Sequence, residues 1–191
     1  MALTSQATEL AEVRIIDVDV FADERGFFFE AYNAAKLGEV GIAATFVQDN
    51  VSFSQRGVLR GLHFQRGLGD HLGQSKFVRV LRGRVLDVVV DIRRGSPTFA
   101  QHVTVELSEA NKRALWVPAG FAHGFYAYED TLMLYKCDDI YRPEREGGIR
   151  YDDRQIGVDW PGGDKTISPR DGGLPTLDAI ENLPTYIGAL P

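Results

Sequence analysis

Four histidines, His63, His71, His102 and His123, are the imidazoles this chain offers for proton transfer or metal ligation. A metal held inside a β-barrel commonly takes two histidines one residue apart on a strand, and here that place reads His63-Phe64-Gln65. His123 follows in Pro118-Ala-Gly-Phe-Ala-His123, and Glu24, Glu30 or Asp91 could add oxygen. So few nitrogen donors make a poor transition-metal site, and no metal is expected. Nucleophilic chemistry is no better supplied. Cys137 stands in an apolar run with no histidine near it in sequence and reads as a small core residue, and there is no Gly-x-Ser-x-Gly elbow. Gly67-Leu-Gly69 and Gly147-Gly148 fit neither the dinucleotide nor the P-loop spacing, which excludes ATPases and nicotinamide dehydrogenases.

What remains is a set of polar residues inside stretches that read as strands: Arg25, Glu30, Gln48, Asn50, Arg60, His63, Lys76, His123, Tyr135 and Tyr141. Burying charges and amides in a small β-structure is costly unless they are paired or serve a ligand, so such a collection points to a polar site. Each has a plainer explanation when taken singly. Arg25 and Glu30 could form a rim ion pair, Gln48 and Asn50 could satisfy strand ends, Tyr135 could be a core aromatic, and Lys76 could be an edge charge that blocks aggregation. The plainer explanation is preferred for all but His63.

The elements that must position these residues are mostly strands. From Val13 to about Trp160 the chain alternates short runs rich in Val, Ile, Leu, Phe and Tyr with breaks containing Gly, Asp and Pro. The clearest hairpin joins 76–81 to 84–92 at Arg82-Gly83, where glycine can take a positive φ. Further strands are expected over 14–21, 26–32, 45–52, 58–65, 102–107, 114–117, 124–128 and 131–138, a spacing that suggests a barrel or jelly roll. Only Asn33-Ala-Ala-Lys-Leu-Gly38 and residues 176–183, with Leu177, Ile180 and Leu183 at helical spacing behind Thr176, look helical. Both are too short to cover a parallel sheet.

The chain has 191 residues, suited to one domain over 1–191, with a core over about 13–160 and a C-terminal extension over 161–191. Its net charge of -6 argues against nucleic acid or an anionic membrane as a partner, so an anionic ligand must be held locally. The lone Cys137 precludes an intrachain disulfide. No signal-like or membrane-spanning apolar run occurs, and a soluble cytoplasmic protein is expected.

Nine ordered motifs carry a resemblance. They are Asp23-Glu-Arg-Gly-Phe-Phe-Phe-Glu30, Gln48-Asp-Asn-Val-Ser-Phe-Ser54, Gly57-Val-Leu-Arg-Gly-Leu-His-Phe-Gln65, Val88-Val-Val-Asp-Ile-Arg93 and Gly95-Ser-Pro-Thr-Phe99. Val117-Pro-Ala-Gly-Phe-Ala-His-Gly124, Tyr135-Lys-Cys137, Tyr141-Arg-Pro-Glu-Arg-Glu146 and Ile167-Ser-Pro-Arg-Asp171 follow. Over nearly the whole chain this closely resembles the dTDP-4-dehydrorhamnose 3,5-epimerase family. The resemblance implies a mostly β, cupin-type jelly roll with short peripheral helices, a homodimer, and no metal or organic cofactor. It implies a dTDP-sugar substrate, dTDP-4-keto-6-deoxyglucose, converted towards dTDP-4-keto-rhamnose.

Position by position, the resemblance makes His63 the base, Asp171 the carboxylate that orients it, Lys76 the cation beside the enolate and Tyr135 the opposing acid. Arg25, Arg60 and Arg170 match charges near the diphosphate, and Glu30, Gln48, Asn50 and Glu146 match polar contacts. Tyr141 matches the ring that stacks on thymine, and His123 a contact near the sugar. Arg60 and His63 differ in parity, which in a regular strand sends them to opposite faces. Either Gly61 marks a bulge that turns both inward, or Arg60 reaches the site around an edge or from the neighbouring subunit. The loop 67–75 lacks the proline expected before the family's lysine. The competing functions are a single-position epimerase acting at carbon three or five, a non-catalytic nucleotide-sugar-binding cupin, and a metal-dependent isomerase or dioxygenase. The last two are disfavoured by the complete His63, Lys76, Tyr135 and Asp171 set and by the missing histidine pair.

Overall fold

The computed structural model describes residues 1–68 and 72–188. Strands with one apolar face must bury it, and here two antiparallel sheets do so against each other. The larger sheet runs β1 (Leu3–Ala7), β2 (Arg14–Val18), β10 (Ala114–Val117), β7 (Lys76–Arg82), β12 (Thr131–Cys137) and β5 (Gln48–Ser54). The smaller runs β13 (Glu146–Gly148), β6 (Leu59–Gln65), β11 (Phe121–Ala127), β8 (Arg84–Asp91) and β9 (His102–Ser108). Between them Val78, Val80, Leu115 and Met133 meet Val85, Val89, Val105 and Phe125, all buried. This is the mostly β jelly roll that the sequence suggests.

Both outer faces are also covered. On the larger sheet α1 (Ala34–Glu39), capped by the Asn33 side chain on Lys36 N–H, sets Leu37 against Ile16, Phe77 and Ala114. On the smaller sheet Val88, Val90 and Tyr126 pack under Ile156, Trp160, Leu177, Ile180 and Leu183. That packing holds the C-terminal segment down and brings the one-turn α2 (Pro169–Gly172) beside β6. Residues 176–183 form only a 3₁₀ turn, Leu177–Ala179, where a helix is expected. Nucleating so short a helix is unfavourable, and docking the same three apolar side chains on the sheet decides the conformation instead.

Two strand expectations are corrected. The hairpin through Arg82 and Gly83 does not form: β7 pairs with β10 and β12, whereas β8 pairs with β9 and β11. Gly83, at φ +84°, instead turns a corner between the sheets. The reason lies in β8, whose Val85 and Val89 face inward and Val88 and Val90 outward. A strand apolar on both faces belongs in the middle of a covered sheet, and a short link does not dictate its partner.

The run over 14–21 is broken at Asp19. Its first half, β2, pairs with β1 and β10 of its own chain. Its second half turns outward as β3 (Val20–Asp23), which pairs with β4 (Gly26–Phe29) in a separate two-stranded arm. The arm leaves Phe21, Phe27 and Phe28 49%, 59% and 63% exposed. Residues 69–71, and with them His71 and part of the loop 67–75, lie outside the described residues.

Candidate active site

A pocket of about 370 Å³ opens between the two sheets, with His63, His123 and Arg60 from the smaller sheet and Lys76, Tyr135, Gln48 and Asn50 from the larger. Tyr141 and Glu146 line it from the segment that leads into β13. The structure thus brings together most of the residues that the sequence singles out.

The parity conflict on β6 is resolved by a bulge. His63 lies opposite His123 and Arg60 opposite Phe125, so β6 spends one residue more than β11 between the two pairs. The extra residue falls at Gly61, whose φ of +134° suits only glycine. Gly124 lies directly against it, and a Cβ on Gly61 would stand 2.6 Å from the Gly124 Cα. With the bulge in place both Arg60 and His63 reach the pocket.

His63 is partly buried, and its Nε2 lies 2.9 Å from Asp171 Oδ1. Asp171 is carried by α2, where Ser168 caps its backbone N–H, and its second oxygen accepts from Gly61 N–H at 3.2 Å. Burial alone would raise the Asp171 pKa, but the hydrogen bond and charge of His63 and the Gly61 N–H outweigh it and hold the carboxyl below its usual value. An ionised carboxylate on Nε2 fixes the proton there in neutral imidazole and leaves the lone pair on Nδ1.

Across the pocket Lys76 is buried and pairs with no carboxylate among the described residues. Burial lowers its pKa, opposed by Cys137, Asp138 and Glu146. Tyr135 sits on the neighbouring strand, and burial raises its pKa, with Cys137 and Glu146 adding to the rise and Arg60 opposing it. Tyr135 therefore keeps its proton at neutral pH. Met133 and Cys137, two residues either side of it, are both buried. Base and phenol stand on opposite walls, and the amine shares the phenol's sheet.

Sequence reasoning missed a second acid. Asp87, fully buried on β8, has Oδ1 2.8 Å from His123 Nε2, while its Oδ2 has no partner among the described residues. Burial raises its pKa and His123 opposes the rise. The signal was available: a lone aspartate in the middle of Val85-Leu-Asp-Val-Val-Val90 can only point into the interior or be paired. Asp91, considered as a metal ligand, is instead used by Arg93, Ser96 and Thr98.

The rim is tied together by Glu146, which accepts from Tyr141 Oη at 2.6 Å and from Arg170 Nη2 at 2.6 Å. Gln48 accepts from Tyr141 N–H and donates to Asn50. Arg60 is fixed by Ser54 Oγ and the Phe53 carbonyl on the edge strand β5. Four sequence candidates do not line this pocket: Asp171 stands behind His63, and Arg170 pairs with Glu146 at the rim. Arg25 is at the tip of the exposed arm, where it pairs with Asp23, and Glu30 is engaged by Lys36 and Asn33 at the start of α1.

A base held by a buried carboxylate, a protonated phenol across from it and a lysine amine on the phenol's wall are the parts needed to move a proton on and off a carbon next to a carbonyl. Comparison with known proteins points the same way. The sequence model described as dTDP-4-dehydrorhamnose 3,5-epimerase matches residues 7–179. A dTDP-4-dehydrorhamnose 3,5-epimerase of Salmonella typhimurium is 49% identical over 174 residues, 90% of this chain and 93% of that protein. A dTDP-4-dehydrorhamnose 3-epimerase of Streptomyces niveus is 38% identical over 170 residues, covering 86% and 81%. Among solved structures, a dTDP-6-deoxy-D-glucose-3,5-epimerase of Legionella pneumophila in complex with dTDP-4-keto-L-rhamnose superposes with a TM-score of 0.92 at 47% identity. It covers 97% of this chain and all of that one.

Proposed function

The chain belongs to the dTDP-4-dehydrorhamnose 3,5-epimerase family, and we propose that it inverts carbons three and five of dTDP-4-keto-6-deoxyglucose to give dTDP-4-keto-L-rhamnose. The observation that carries this reading is the placement of His63, held from behind by Asp171, on one wall of the pocket and Tyr135 with Lys76 on the other. The carbon-four ketone acidifies its neighbouring C–H bonds. His63 Nδ1 takes the proton, the electron pair moves onto the ketone oxygen as an enolate, and Lys76 and His123 stabilise that oxygen. Tyr135 then gives its phenolic proton to the opposite face of the same carbon. The phenolate regains a proton and His63 loses its own to solvent, so the cycle closes. No cofactor is required by this sequence of steps. Proton NMR in deuterated water counts the exchanged positions: two are expected, and exchange at one only would group the chain with single-position epimerases.

Nucleotide recognition falls to the rim. Arg60 and Arg170 face the diphosphate through charge-assisted hydrogen bonds of about 1.5–3 kcal/mol each, enough to hold an anion on an acidic protein. Tyr141 stacks on thymine, a contact worth about 0.5–1.5 kcal/mol beyond area burial. Calorimetry on Tyr141→Ala should therefore register a loss of about two- to tenfold for dTDP and little change for inorganic diphosphate. Equal losses for both would mean that the rim itself had collapsed.

The working unit in this reading is a homodimer. The arm leaves Phe21 and Phe28 exposed, and among the described residues the pocket lacks the arginine and glutamate of the arm and its base. Both are supplied if Arg25 and Glu30 enter the pocket of a second copy. The chain is read as one domain whose C-terminal extension contributes Arg170 and Asp171. No helix of the described residues is long and apolar enough to cross a membrane. The free, buried Cys137 and the acidic net charge fit a cytoplasmic enzyme that binds neither nucleic acid nor membrane.

A further inference from the structure

Arg79 is an anomaly among the buried residues. It lies on the outer face of β7 at 2% exposure and meets no carboxylate among the described residues. Burial pushes its pKa down to about 10. Leaving a cation unpaired in the interior is costly, and Leu or Met would fill the same space. What Arg79 does instead is bond two carbonyls, those of Lys112 and, at 3.3 Å, of Ala31, while its guanidinium lies 5.0 Å from the centre of the Phe29 ring. Ala31 is just past β4, and Lys112 is in the turn before β10.

The contacts continue outward along one face of the arm. Phe29 stacks on Phe27 at 6.1 Å and 22°, and Lys112 Nζ lies 3.8 Å from the centre of the Phe27 ring. Arg79, Phe29, Phe27 and Lys112 thus form a cation–aromatic ladder from the sheet into the arm. A hairpin of two four-residue strands has no stable orientation of its own. The opposite face of the arm, where Phe21 pairs with Phe28, is left open, and Arg25 stands at the tip.

We propose that Arg79 and Lys112 are positioning residues for the partner subunit's reaction, setting the angle at which the arm delivers Arg25 to the pocket of a second copy of this chain. The inference rests on the reading of the arm as a contribution in trans, and the test separates the two. Arg79→Met and Lys112→Gln homodimers should keep kcat within about twofold and raise the KM for the dTDP-sugar, by about two- to fivefold for Lys112→Gln and about tenfold for Arg79→Met.

Each variant is then co-expressed with His63→Ala under a second tag and purified as the heterodimer. The only pocket with a base belongs to the Arg79→Met or Lys112→Gln subunit, and it now receives an unaltered arm, so its KM should return to the wild-type value. An Arg25→Ala with His63→Ala heterodimer is the control for the arm itself. If the control recovers and the Arg79 and Lys112 heterodimers keep a raised KM, these residues shape their own subunit and the proposal is overturned while the arm reading stands. If the control does not recover, the arm reading falls and the proposal with it. Unchanged KM in both homodimers also overturns it. Should Arg79→Met fail to fold, Lys112→Gln, only partly buried and outside any strand, carries the same comparison.

Discussion

His63→Ala should lower kcat by about 10²–10⁴, the range for loss of a general base, while dTDP binding stays close to wild type because the contacts proposed for the nucleotide lie on the rim. Deuterium exchange at both carbons should fall together, since one imidazole is placed to serve both. Near-normal turnover would remove His63 from the role. Asp171→Asn provides the companion measurement, because an amide can present its NH₂ to Nε2 and favour the wrong tautomer. It also reads out in stability. A carboxyl whose folded pKa lies below its unfolded value stabilises the fold above the unfolded value and ceases to do so as pH falls through the folded one. Asp171 is shifted in that direction. The gap in thermal midpoint between wild type and Asp171→Asn should therefore be full at neutral pH and close as the pH drops below the ordinary carboxylate range. A gap that persists in acid would assign the loss to packing and not to charge.

Tyr135→Phe should separate two events that are joined in the native enzyme. Proton removal by His63 does not need the hydroxyl, but delivery to the far face does. The variant should still wash solvent deuterium into the substrate at a position next to the ketone while forming inverted product ~10²–10⁴ times more slowly. The measurement is paired: exchange by NMR and product by reduction and chromatography on the same sample. Loss of both in equal measure would indicate that the ring, not the hydroxyl, is what the pocket requires. Because burial raises the Tyr135 pKa, ionisation of this phenol should not limit the rate below the ordinary tyrosine value of 10.0.

How far the site could be read from sequence depended on where each residue sits. His63, Lys76 and Tyr135 stand out because a polar side chain inside an apolar strand demands a reason. Asp171 gives no such signal: it lies 108 residues from His63, on a one-turn helix whose position depends on Ile156, Trp160 and Leu177 packing on the far side of the sheet. Only the resemblance connects the two. Asp87 was legible and overlooked, its strand having been read for its valines. The pairing of β7 and β8 was misread because a β-branched run and a glycine look the same whether the chain folds back on itself or turns into the facing sheet. Arg25 belongs to one of the motifs that carry the resemblance yet sits outside the pocket, paired with Asp23 at the tip of the arm.

The glycines at the bulge limit how this scaffold could be re-engineered. A methyl on Gly124 would lie 2.7 Å from the Arg60 carbonyl, and one on Gly61 would strike Gly124 in turn. Either change forces β6 and β11 apart, and the two histidines travel with their strands. A mutant library aimed at other nucleotide sugars can randomise Gln48 and Asn50 on the edge strand, whose side chains line the pocket without being fully buried. Codons 61 and 124 should be held constant, since variation there would fill the library with clones in which the reacting groups no longer face a common substrate.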